Sequence, residues 1–454
     1  MDSSILEQLD SDLYLSGAGV DPRFSKDWGE ERECMPPVVL RPRNTDDVSR
    51  MLSLCQAGRQ SLVTQGGLTG LCSGAVPLPG EWAMNLERLN GIVELDRQSM
   101  TITVRAGTPL QQVQDAATDA GLVFPLDMGS RGSCTAGGIV ATNAGGNQVI
   151  QHGMARSLVL GLEVVLADGS IISNRNKLLK NNAGLDLKQL FIGSEGVLGV
   201  VTEVTFRLFP RKAVIQTALC ALSGFDQVVA LLQKMGRRLN TIKAFEVMWP
   251  GYFADACEAT GQASPFDKAS GFYVLIETEG PDEASAKELF EWALERCLDE
   301  DVVNDVIIAQ NLAESRRFWQ IRDGVAELIP RKGPFAHLDI GIPISEMEAF
   351  SRDVESALDD AFEDGTTYIF GHVGDSNLHV LAAAETDAEK SRVYDIVYNL
   401  TGRFDGSISA EHGVGTSTKN WLHLSRSKQE VELMKLLKAS LDPAGILNPH
   451  RIFD

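Results

Sequence analysis

Two glycine-rich tracts, GGLTGLCSGAVPLPG at 66–80 and PLDMGSRGSCTAGGIVATNAGGN at 125–147, constrain this chain more than any other feature. The first is too rich in glycine and proline to be helix or strand. Each lies beside a strand-like segment. Without Cβ atoms, main-chain N–H groups can approach a phosphate closely, and such nests bind anions. The second tract interleaves its glycines with small hydroxyls and an amide, which suits a dinucleotide lying along the backbone. QGGLTG is not GxGxxG and no GK[ST] is present, so the Rossmann and Walker fingerprints are both excluded. Two surface loops with tight turns are the plain alternative.

The tracts sit in a chain of 454 residues, long enough for two or three domains. Residues 37–64 read as strand, helix and strand, with Thr45 as the helix cap and Val48, Met51, Leu52 and Cys55 at helical spacing. Residues 90–110 read as two alternating strands joined by DRQS, and a capped helix then ends at Gly121. LVLGLEVVLADGSII, 158–172, reads as two strands turned at Asp168-Gly169, and 196–210 as a long strand segment. From about 212 to 400 helices alternate with strands and glycine tracts are absent, the pattern of an α+β domain.

A third feature is chemical. GHVGDSNLHV, 371–380, and SAEHGVG, 409–415, hold three of the seven histidines. If Gly374–Asn377 form a hairpin loop, Val373 pairs with Leu378 and His372 faces His379, with Cβ atoms roughly 5 Å apart. Two imidazoles that close either share a metal ion or form a fortuitous polar pair. Glu411 would complete a two-His-one-carboxylate set with open coordination positions. His412 would point another way from an extended backbone, free to act as a base. Asp375 is the nearest competing ligand, but in GDSN it suits the turn. His152, His337, His423 and His450 are scattered and read as ordinary residues.

A net charge of −21 argues against nucleic-acid and anionic-membrane partners, since no basic patch offsets it. No apolar run approaches the roughly 20 residues of a membrane span, and the first residues carry acids where a signal peptide has bases. Seven cysteines without a CxxC pair fit a reducing compartment, so a cytoplasmic or organelle-matrix location is expected.

QGGLTGLCSG, PLDMGS, SCTAGGIVATNAGG, DLKQLFIGSEGVLGVVTEV, GHVGDSNLH, SAEHGVG and LDPAGILNP occur in this order. Together they resemble the FAD-linked D-2-hydroxyacid dehydrogenases of the vanillyl-alcohol oxidase superfamily, over about residues 36–452. The resemblance implies an α+β fold: a two-part FAD-binding domain, 1–212 rejoined by 405–454, around an α+β substrate (cap) domain, 213–404. It assigns the FAD to Gln65, Gly66, Gly67, Leu68, Thr69 and Gly70, and to Pro125, Asp127, Gly129, Ser133, Thr135, Gly138, Thr142, Asn143 and Gly145. Glu195, Gly196, Val200 and Asn448 would also line it. His372, His379 and Glu411 would hold a divalent metal, zinc or manganese, with His412 as the catalytic base and Arg322 on the substrate carboxylate. The first glycine loop lacks the histidine through which some relatives attach FAD, so non-covalent FAD is implied.

The implied reaction oxidises a D-2-hydroxy acid to the 2-oxo acid, with hydride passing to flavin N5. The reduced flavin would pass its electrons to an electron-transferring flavoprotein, a quinone or a cytochrome, and a homodimer is the expected assembly. Three positions depart from the hydroxyglutarate-specific relatives. Ala326 stands for a threonine, His337 for a lysine and Leu381 for an asparagine, which favours D-lactate or apolar monocarboxylates. A D-2-hydroxyglutarate dehydrogenase is the alternative, and a metal-dependent hydrolase or a non-catalytic binding module are the distant ones.

Overall fold

The spacing Val48, Met51, Leu52 and Cys55 does build a helix, Thr45–Ala57, with all four side chains buried. Its cap is Asn44 rather than Thr45: the Asn44 side chain accepts from the Asp47 amide at 2.8 Å, and the Thr45 hydroxyl donates to Glu163 at 2.7 Å. Thr45 is therefore already inside the first turn. The computed structural model describes residues 3–29, 32–212, 214–239, 241–280, 282–363 and 365–454, so residue 213, the expected start of the middle domain, lies outside them.

The chain divides into two compact units: Met1–Gly146, His152–Arg211 and Glu411–Asp454 form one, and Asn147–Gln151 with Lys212–Ala410 the other. In the first unit, strands Val38–Leu40, Trp82–Asn85 and Leu62–Gln65 run parallel in a four-stranded sheet, with Tyr14–Ser16 antiparallel at its edge. A five-stranded antiparallel sheet runs in the order 92–96, 101–105, 200–207, 159–165, 171–174. The expected DRQS and Asp168-Gly169 turns are its two hairpins, Ile92–Asp96 with Thr101–Arg105 and Val159–Val165 with Ile171–Asn174. Helix Leu110–Asp119 starts after Pro109, without a side-chain cap. One core joins these layers, from Val48 and Met51 through Trp82, Ile102 and Phe206 to Ile446 and Leu447.

The second unit is built on a seven-stranded antiparallel sheet, in the order 305–308, 214–222, 272–280, 244–248, 367–371, 377–383, 335–341. Strand residues alternate between faces. Leu219, Met248, Leu275, Phe370 and Leu381 pack against Tyr252 and Phe253 from helix Pro250–Thr260, Phe318 and Ile321 from Leu312–Arg322, and Leu328 from Val325–Lys332. Two residues before Met248 on the strand, on the same apolar face, stands a carboxylate, Glu246.

Candidate active site: a glycine-walled cavity and a buried Arg–Glu–His cluster

The two glycine tracts meet in the first unit. A Cβ at Gly66 would lie 2.5 Å from the Thr135 hydroxyl, and one at Gly67 only 1.8 Å from the Ser133 carbonyl. The tracts touch backbone to backbone because neither has side chains there. Beside this contact lies a cavity of about 380 Å³, within the range of small-molecule sites. Of the residues assigned to FAD, Gly66, Gly67, Leu68, Thr69, Gly70, Gly129, Thr135, Gly138, Thr142, Gly145, Glu195, Gly196, Val200 and Asn448 line it. Leu71, Cys72 and Cys134 of the tracts line it too, and so does Trp28, which no sequence signal marked.

Gln65, Pro125, Asp127, Ser133 and Asn143 are not in the wall. Gln65 donates to the Phe24 and Ala75 carbonyls at 2.9 and 3.0 Å, and Asp127 pairs with Arg131 at 2.8 Å. Ser133 supplies the carbonyl packed on Gly67, and the Asn143 side chain accepts from the Arg156 amide at 2.9 Å. These residues shape the cavity from behind. The Thr64 and Thr135 hydroxyl oxygens in its wall are buried without a protein partner. Buried polar atoms normally find one, and a polar ligand along the tracts would supply it. Gly-lined walls, small hydroxyls and a buried unpaired pair of oxygens fit FAD.

Glu411 and His412 line the same cavity. The backbone bends at both, so the extended strand expected there is absent. What fixes the segment is Glu195. Its two carboxylate oxygens accept from the Val414 and Gly415 amides, each at 2.7 Å. Burial pushes the Glu195 carboxyl up, while these two amides and the Arg451 guanidinium pull the other way. Asn448 binds from the other side, donating to the Glu195 carbonyl at 2.7 Å and accepting from the Thr64 amide at 2.9 Å. Cys72 donates its thiol to the His412 carbonyl at 3.2 Å. The C-terminal segment is thus tied to both the first glycine tract and the SEGVLG turn.

In the second unit the histidine hairpin forms with a corrected register. Phe370, not His372, pairs with His379, and the Asn377 amide bonds the His372 carbonyl at 3.2 Å. The loop is therefore 373–376, one residue earlier than expected. Asn377 is drawn into the strand because its amide donates to Asp339 at 2.7 Å and to the Ile340 carbonyl at 3.1 Å. The partner of His379 moves by two residues, which preserves the face. His372 and His379 become diagonal neighbours with ring centroids 5.3 Å apart, within the reach of long side chains across a strand pair.

Around these rings the structure assembles groups remote in sequence. The pairing of Val247 with Gly371 and Met248 with Phe370, extended by one residue, sets Glu246 opposite His372. Glu246 Oε1 lies 2.7 Å from His372 Nδ1, and Glu246 Oε2 accepts from Arg322 Nε at 2.8 Å and Nη2 at 2.7 Å. Arg322 Nη2 lies 3.1 Å from His372 Nε2, and Nη1 reaches Asp323 at 3.2 Å. Tyr252 donates to the Arg322 carbonyl at 2.6 Å and stacks on Phe370, over which the guanidinium also sits. Burial alone would raise the Glu246 carboxyl, but Arg322 and His372 override it and hold it at about 2. Glu246 keeps the guanidinium charged despite its burial. His379 pairs across the strands with Asp339, whose carboxylate lies 3.8 Å from its Nδ1.

Two imidazoles on one face, His372 hydrogen-bonded to a carboxylate at Nδ1 and His379 with one 3.8 Å from its Nδ1, fit a cation. On strand Phe335–Gly341 the carbonyl of Asp339 accepts from the Ala410 amide at 3.2 Å. Glu246 was missed in the sequence, although a lone acid inside the apolar run AFEVM was a signal.

Residues 36–174 match the family described as "FAD binding domain", and residues 211–452 the family described as "FAD linked oxidases, C-terminal domain". Fold and cavity therefore define a flavin-dependent oxidoreductase. The chain is 37% identical to a D-2-hydroxyglutarate dehydrogenase of Xanthomonas citri pv. viticola, covering 95% of this chain and 92% of the relative. It is 36% identical to the mitochondrial D-2-hydroxyglutarate dehydrogenase of Arabidopsis thaliana, over 94% and 76%. The fold is shared with p-cresol methylhydroxylase at a TM-score of 0.80 and 15% identity, over 99% of this chain and 96% of that one. The chain belongs to the FAD-linked D-2-hydroxyacid dehydrogenases of the vanillyl-alcohol oxidase superfamily. Among the described residues no helix is long and apolar enough to cross a membrane.

Proposed function

We propose that this protein oxidises a D-2-hydroxy acid with a small apolar side chain to the 2-oxo acid. The first unit binds FAD non-covalently, and the second supplies the substrate-binding groups. The observation that carries the reading is the cavity of the first unit, where His412 stands in the wall with the paired glycine tracts. Bound FAD would supply the hydride acceptor, and a divalent cation, zinc or manganese, that His372, His379 and Glu411 would hold would supply the acidity that loosens the α-hydroxyl proton.

The chain's own residues do the rest. His412 takes the hydroxyl proton as general base. Its loop is fixed by the Glu195 clamp on Val414 and Gly415, so the base needs no reorganisation. Arg322 orients the substrate carboxylate. Its Nε–Nη2 edge is already engaged by Glu246 and its Nη1 reaches the half-exposed Asp323, so the substrate carboxylate would compete with Asp323 for Nη1.

The preference for an apolar side chain rests on the three departures Ala326, His337 and Leu381. Leu381 is 3% exposed and packed in the cluster of Tyr252, Phe335, Tyr368 and Phe370, where it offers no partner to a distal carboxylate. The second reading, D-2-hydroxyglutarate itself, is favoured by the names of the two relatives. Electrons would leave by an electron-transferring flavoprotein, a quinone or a cytochrome, and the setting is cytoplasm or an organelle matrix.

The test is a visible spectrum of the purified protein without oxygen, followed on adding D- and then L-2-hydroxy acids. Bleaching of the flavin by the D-forms alone supports the reaction, and a flavin that neither form bleaches refutes it. A higher kcat/KM for D-2-hydroxyglutarate than for D-lactate and D-2-hydroxybutyrate would overturn the side-chain preference.

A further inference from the structure

Glu246 is one of the few carboxylates wholly buried in the second unit, at 1% exposure, and none of the reaction's steps uses it directly. It sits on an apolar sheet face, where an isolated acid would be costly. Its two oxygens serve different neighbours. Oε1 faces His372 Nδ1 at 2.7 Å, and Oε2 takes the Nε and Nη2 donors of Arg322 at 2.8 and 2.7 Å. Arg322 Nη2 lies 3.1 Å from Nε2 and 3.5 Å from Nδ1, beside both ring nitrogens and in line with neither, so the carboxylate is what distinguishes them.

An ionised carboxylate only accepts and a guanidinium only donates. The carboxylate therefore selects one form of the ring: Nδ1 carries the proton toward Glu246, and Nε2 keeps its lone pair. That is the form a metal-ligating histidine must have, and a carboxylate behind the ring is the usual means of imposing it.

We propose that Glu246 is the positioning residue of this site, which sets the tautomer of His372 for metal ligation and holds the guanidinium of Arg322 by its Nε–Nη2 edge. The inference rests on the reading of His372 as a ligand. Glutamine at this position can satisfy only one neighbour. With its oxygen on Arg322, its NH₂ faces His372 Nδ1 and selects the opposite tautomer. With its oxygen on His372, its NH₂ faces a guanidinium. Aspartate keeps both acceptors but is one methylene shorter, so it should restore part of the function.

The experiment compares FAD-loaded wild type with Glu246→Gln and Glu246→Asp, each stripped of metal by a chelator and titrated calorimetrically with Mn²⁺ or Zn²⁺ alone. Glu246→Gln should lose about 10- to 100-fold in metal affinity, keep its FAD, and show a raised KM for the 2-hydroxy acid. Glu246→Asp should fall between. Wild-type metal affinity in a folded Glu246→Gln protein would overturn the proposal.

A second measurement needs no variant at position 246. Wild-type protein labelled with ¹⁵N-histidine, with His372→Asn to assign the signal, should show a neutral His372 ring protonated at Nδ1. The Nε2–H form or an imidazolium would overturn the proposal even if Glu246→Gln failed to fold. A wild type that takes up no metal would refute the metal reading itself, and the nitrogen spectrum would still decide whether Glu246 sets the ring.

Discussion

Replacing Gly67 by alanine should weaken FAD binding while leaving the fold intact. The added Cβ would lie 1.8 Å from the Ser133 carbonyl oxygen and 2.7 Å from its carbon. Real Cβ contacts stop at 3.0 Å, so the two tracts must part by at least 3.0 − 1.8 = 1.2 Å. The opposing atoms are backbone, and no side chain can rotate away to absorb the change. Overpacking of this kind costs roughly 1–3 kcal/mol. If the cofactor-loaded form bears that cost, the Kd for FAD rises about 5- to 150-fold. Gly132→Ala is the matched control: it lies one residue before Ser133, and a Cβ there meets nothing within 4 Å. The assay is a flavin-fluorescence titration of deflavinated protein, with thermal melts of each variant. A Kd for Gly67→Ala within twofold of wild type would refute the idea that tract-to-tract contact shapes the cofactor site. An equal loss in Gly132→Ala would refute its steric origin.

Glu195→Gln replaces one acceptor of the Val414 and Gly415 amides with a donor, so it should cost about 1.5–3 kcal/mol and lower kcat about 10- to 150-fold, read as the rate of flavin reduction. Arg322→Lys keeps the charge but loses the two-point grip on Glu246; KM for the 2-hydroxy acid should rise roughly 30-fold, about 2 kcal/mol, with FAD content unchanged. The depressed carboxyl of Glu246, 4.5 ordinarily and about 2 here, contributes stability that is fully present above pH 4.5. That stability, on the order of 3 kcal/mol, should be lost as pH falls from 4.5 toward 2, and acid melts of wild type and Glu246→Gln should converge there. Stripping with a chelator should abolish turnover while leaving flavin absorbance intact, and added Mn²⁺ or Zn²⁺ should restore it.

Local causes were legible in the amino-acid order. The helix at 45–57, the hairpins at 92–105 and 159–174, and the two glycine tracts each depend on residues within a few positions of one another. Spacing and turn chemistry reveal them, and the family follows from the motifs they carry. Near-local detail was less secure: Asn44 rather than Thr45 caps the helix because the Thr45 hydroxyl is taken by Glu163, more than a hundred residues on. The histidine hairpin moved by one residue because Asn377 is held by Asp339 from a neighbouring strand.

The tertiary structure alone decided what surrounds the chemistry. Glu246 and His372 are 126 residues apart, Glu195 and Gly415 are 220 apart, and Thr64 and Asn448 are 384 apart. No periodicity spans such separations. Sheet register brings the first pair together, and the return of the C-terminal segment to the first unit brings the other two. A short-range pattern states which groups a chain owns, and only long-range pairing and burial determine which of them meet, and in which protonation state they are held.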